Sequence, residues 1–162
     1  MPIISRRKFR GSMPRPIPHG MGLKTGLSLK GLLRSTPRYF INSGKDVEII
    51  DYKDGLKTKT GLPAVKARAV ADFTATDMPP TPHNVLVVGL MKGVPISQQK
   101  KVLVSCDCAN YTFIWEYANT VNRASRIKYC NGEPAYTTNP GNRPGLCKHL
   151  VAFASEILEN GD

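Results

Sequence analysis

Four side chains in the C-terminal half have the types and spacing for metal chemistry. Cys106-Asp107-Cys108 offers two thiols, and Cys147-Lys148-His149 offers a thiol and an imidazole after 38 intervening residues. Together they form a Cys3His set. Zinc takes four nitrogen or sulfur ligands in a tetrahedron, and a structural site leaves no position open. The expected cofactor is therefore Zn2+ on Cys106, Cys108, Cys147 and His149. An iron–sulfur cluster on the same ligands is the alternative, and two thiol clusters without metal are the bland one. Cys130 precedes the turn signal Asn131-Gly132 and is read as a free strand cysteine.

Two elements must deliver these ligands. Lys101 to Cys106 is apolar and β-branched, and reads as a strand that ends on the first pair. Leu150, Phe153, Ala154, Ile157 and Leu158 recur at helical spacing, so Leu146 to Leu158 reads as a helix that carries the second pair in its first turn. Pro144-Gly145 precedes this helix and Asn160-Gly161 closes it. A helix N-terminus favours thiolate, which lowers the cost of deprotonating Cys147.

The remaining elements are shorter. Val85 to Leu90 reads as a strand, followed by a turn at Lys92-Gly93-Val94-Pro95. Phe113 to Val121 reads as a helix whose aromatics (Phe113, Trp115, Tyr117) belong to a core or protein interface rather than a base-stacking platform. Ser125 to Cys130 alternates and reads as a strand, before a Pro/Asn/Gly loop over 133–145. Upstream, Val47 to Tyr52 reads as a strand turned by Lys53-Asp54-Gly55, and Ala64 to Phe73 as a strand or extended run. Met78-Pro79-Pro80-Thr81-Pro82 is a breaker and marks the expected domain boundary.

Charge is unevenly distributed. The chain has 162 residues and a net charge of +11. Residues 1–45 hold ten Lys/Arg and no Asp/Glu, while the rest is nearly balanced. Nine of the thirteen prolines lie in residues 1–82, which do not read as a globular core. Apolar residues such as Ile3, Ile4, Phe9, Leu29 and Leu32 interleave with the cations. This suggests an extended arm that orders on a partner with acidic surface. The expected fold is α+β: a basic extended arm over 1–45, short strands and a linker over 46–82, and a zinc-stapled domain over 83–162. Arg6, Arg7, Lys8, Arg10 and Arg15 are the candidate partner-binding residues. Deleting residues 1–45 is expected to leave the domain folded.

The two ligand pairs and their surroundings resemble the SWIM zinc-finger pattern, CxC followed by CxH. The matching stretches are Val104-Ser105-Cys106-Asp107-Cys108 and Leu146-Cys147-Lys148-His149-Leu150-Val151-Ala152. The resemblance implies a ββα arrangement with the four ligands on zinc. The spacer is longer than usual for that pattern, so Phe113 to Arg143 is read as an inserted strand/loop element. A further run, Tyr117-Ala118-Asn119, Asn131-Gly132-Glu133-Pro134, Asn139-Pro140 and Pro144 to His149, resembles small SWIM-like structural proteins of tailed bacteriophages. That resemblance implies a virion component of tail, baseplate or neck, assembled in the host cytoplasm beside other structural proteins.

Other functions are less well supported by sequence. No P-loop, GxGxxG, HExxH or GxSxG is found, and no general acid/base Glu sits beside a ligand His. The chain is expected not to be an enzyme and to have no small-molecule substrate. No run of eighteen apolar residues exists, so no membrane partner is expected. Nucleic-acid binding through the basic arm is the alternative function. His19 and His83 are read as lone loop residues, and Asp107 and Lys148 as exposed residues that flank the ligands and support them from outside.

Overall fold

The computed structural model describes residues 26–71 and 80–161. Two short helices come first. In α1 (Leu29–Ser35) the Ser28 hydroxyl caps the N-terminus by accepting the Gly31 N–H at 3.0 Å, and Leu29 and Leu32 are fully buried. Pro37 stops α1 and opens α2 (Arg38–Ser43). The expected extended arm is therefore corrected over its described part: residues 29–35 and 38–43 are helical, Leu29 and Leu32 lie in the core, and Phe40 and Ile41 pack against it. Arg6, Arg7, Lys8, Arg10, Arg15 and His19 lie outside the described residues.

Four strands follow: β1 (Val47–Lys57), β2 (Pro63–Ala71), β3 (His83–Gly89) and β4 (Val102–Cys106). They form one antiparallel sheet in sequence order. The expected boundary at 78–82 thus falls between two paired strands, β2 and β3. Lys53-Asp54-Gly55 is not the turn. It lies within β1 beside register shifts on either side of Lys53, with Asp51 at φ 51° and Gly55 at φ 65°. The chain reverses instead at 58–62, where the Thr58 hydroxyl accepts the Leu62 N–H.

One face of the sheet is apolar at every second residue: Val65, Ala67 and Ala69, Val85 and Val87, Val102, Val104 and Cys106. The small side chains of β2 leave room for a helix. Beyond β4, a wide π-type turn (Tyr111–Trp115) runs into α3 (Glu116–Val121). The last helix, α4 (Lys148–Asn160), packs Leu150, Val151, Phe153, Ala154 and Ile157 onto the sheet. Each large apolar side chain buried there contributes about 1.5–3 kcal/mol. Gly161, at φ 78°, ends it with its N–H on the Ile157 carbonyl. The architecture is α+β.

The strand expected at 125–130 does not form. The buried Glu116 carboxylate instead accepts the backbone N–H groups of Lys128, Tyr129 and Cys130. A side chain takes the donors that a ladder would have used. Burial raises this carboxyl above its ordinary value, against the pull of those donors. Trp115 and Tyr117 are buried as expected, while Phe113 is exposed.

Candidate metal centre

The two ligand pairs meet. One ligand atom from each of Cys106, Cys108, Cys147 and His149 lies within 4.8 Å of the others, and all four residues are buried. A tetrahedral zinc site has neighbouring sulfurs about 3.8 Å apart, so modest contraction would complete it. Cys106 ends β4 and Cys108 follows two residues on. Cys147 is the N-cap of α4, with extended backbone (φ −73°, ψ 168°), and His149 sits in the first turn.

The chemistry of the cluster suits a cation. The Tyr111 N–H donates to the Cys108 sulfur at 3.3 Å. The Cys106 and Cys147 thiols also donate to it, and these contacts hold Cys108 well below its ordinary value. Cys106 is raised because its proton is shared with Cys108 and Cys147. Cys147 is raised by burial. His149 Nδ1 is buried without a hydrogen-bond partner among the described residues. A buried nitrogen left so costs about 1–3 kcal/mol, and the His149 ring is also hydrogen-bonded to the Cys108 side chain. The four residues could hold a metal ion, and the donor set is compatible with zinc. Cys130 is not in the cluster. It accepts the Gly132 N–H, and burial pushes its thiol up to about 11.

A surrounding layer fixes both halves. Asp107, between the first two cysteines, accepts from His83 Nδ1 at 3.0 Å, from the Asn84 N–H at 3.1 Å and from Asn84 Nδ2 at 3.0 Å. This ties the loop to β3. The His83 ring lies 4.7 Å from the His149 ring. The reading of His83 as a lone loop residue, and of Asp107 as exposed, is therefore corrected: both are only partly exposed and brace the site.

The second half is held from further away. Asn119 binds both backbone groups of Gly145, accepting its N–H at 3.0 Å and donating to its carbonyl at 2.8 Å. Gly145 also lies against Trp115, where an added Cβ would come within 2.6 Å of the ring. Thr36, at the end of α1, accepts the Leu146 N–H at 3.0 Å, and the Ser35 hydroxyl donates to the Pro144 carbonyl. Residues 144–146 are thus clamped from α1 and α3 just before Cys147. Sequence reasoning found the four ligands and placed Asp107 beside them, but missed the partners in this layer, because they lie 23 to 110 residues apart.

No family model, curated protein or solved structure matches this chain. Among the described residues, no helix is long and apolar enough to cross a membrane.

Proposed function

We propose that the protein is a non-enzymatic structural component of a viral particle, in its tail, baseplate or neck. A zinc ion staples the C-terminal fold, and the N-terminal arm clamps neighbouring subunits. The observation that carries the reading is the closed set of four buried donors around one point. Catalytic zinc sites keep a position for substrate, and four protein ligands take it. Two strands, β3 and β4, precede α4, with α3 between, which is compatible with a SWIM-like ββα unit carrying an insertion, and the basic, apolar-interleaved N-terminus suits protein neighbours. The site of action is the virion, with assembly in the host cytoplasm.

The test is mass spectrometry and metal analysis of purified particles. The chain should be present in fixed proportion with one zinc per copy. Its absence from particles would contradict the structural role.

The net charge of +11, mostly N-terminal, favours a second reading as a nucleic-acid-binding zinc protein. That reading predicts binding to duplex DNA with a steep salt dependence. The structural reading predicts weak, sequence-independent binding that is lost at physiological salt.

A further inference from the structure

The face of the sheet turned away from α4 carries a pocket. Leu86 and Val88 of β3 and Leu103 of β4 alternate with the core residues Val85, Val87, Val102 and Val104, so they point to the opposite side. With Leu62 they make an apolar floor, and the pocket above it has a volume of about 250 Å³. Small-molecule sites have this make-up, a mostly apolar lining with a few convergent polar groups.

The polar groups stand at two ends. Arg126 and Lys128 line the pocket beside β4, and the hydroxyl residues Thr58 and Thr60 line it at the 58–62 reversal. Among the described residues, no carboxylate, imidazole or thiol lines it. One end is therefore cationic and the other neutral.

The cationic end is held in place from both sides. The Ala124 carbonyl accepts the Val104 N–H at 2.9 Å, and the Ser125 hydroxyl donates to the Val104 carbonyl at 2.8 Å. Glu116 accepts the N–H groups of Lys128, Tyr129 and Cys130. The backbone that carries the two cations is thus fixed before any ligand arrives, which lowers the ordering cost of binding. Glu116 attracts Lys128, but it is buried and its oxygens are taken by those three donors. It leaves both cationic heads to the pocket.

We infer that this pocket binds an aliphatic carboxylate, its head on Arg126 and Lys128 and its stem across Leu103, Val88 and Leu62. From β4 to β2 is two strand spacings, about 10 Å, a span that suits a chain of about eight carbons. An inorganic anion would leave the apolar floor wet, and a neutral hydrocarbon would leave the two cations unused. A ligand with both parts uses both. The inference is separate from the structural role proposed above and stands or falls without it.

The experiment is a titration of the full-length, metal-loaded protein with sodium octanoate, followed by amide NMR. Saturable shifts should appear at Leu86, Val88, Leu103 and Lys128. Each methylene added between butanoate and octanoate should tighten binding about two- to fourfold. Octylammonium, with the same stem and the opposite charge, should bind at least about tenfold more weakly. Inorganic phosphate should leave the Leu86 and Leu103 amides where they are. The double variant Arg126→Ala, Lys128→Ala should weaken octanoate binding about tenfold, because it removes the charged partners of the head. Both side chains are exposed and Glu116 holds backbone groups, so fold and metal content should stay unchanged. No saturable shift, equal affinity for octanoate and octylammonium, or a double variant that binds as tightly as the parent would each overturn the inference. Phosphate moving the same amides as strongly would assign the pocket to phosphate groups and overturn it as well.

Discussion

Cys147 carries more of the account than any other single residue, since it is at once metal ligand, N-cap and fully buried side chain. Cys147→Ser should abolish stoichiometric metal binding and lower stability by more than about 3 kcal/mol, since a structural ion's binding energy is folding energy. Chemical denaturation with metal analysis checks this, and a stable, metal-loaded variant would contradict it. Hydrogen bonds from the Cys106 and Cys147 thiols hold Cys108 below its ordinary value. Zinc added to the stripped chain should release at least about two protons per ion, since Cys106 and Cys147 are both raised and all three thiols bind as thiolates. Calorimetry in buffers of differing ionisation enthalpy measures that number, and a value near zero would contradict the thiolate account. Gly145 belongs at this scale too. Gly145→Ala drives a methyl into Trp115 and should destabilise by about 1–3 kcal/mol, with the ligand set untouched. The ligands were legible in sequence because each pair is local. Asp107 was legible as a neighbour of the ligands, but its partner His83 and the Asn119 clamp were not, because those contacts are set only when β3, β4 and α3 come together.

Elements with a clear period were legible, and elements decided by a distant side chain were not. The apolar residues of α4 recur at helical spacing, and the core face of the sheet alternates. The short helix α1 sits among glycine and proline, and it forms because Ser28 caps it and tertiary burial of Leu29 and Leu32 stabilises it. Residues 125–130 alternate like a strand, yet Glu116 captures the N–H groups of 128–130. The contact between α1 and the Cys147 segment gives an element-scale prediction. Thr36→Val keeps the side-chain shape but leaves the buried Leu146 N–H unpartnered. It should lower stability by about 1–3 kcal/mol. Thermal unfolding checks this, and an unchanged midpoint would show that α1 does not support the site.

At the scale of the whole molecule, the helix over residues 29–35 packs into the body that carries the metal site. Leu29, Leu32 and Thr36 belong to the body that holds the metal site, so deletion of residues 1–45 should unfold it. Deletion of residues 1–25 should leave a folded, metal-binding body that no longer assembles. Circular dichroism and sedimentation of the two truncations separate these outcomes, and a folded 46–162 fragment would contradict the first. Charge and proline content had marked the first 45 residues as one arm, because composition averages over the few leucines that enter the core. The central claim is a closed zinc centre that fixes this body. Elemental analysis of the purified full-length protein, together with its absorbance spectrum, tests it most directly. The account predicts one zinc per chain and no visible band. Iron with a broad visible band, or a folded protein without metal, would contradict it.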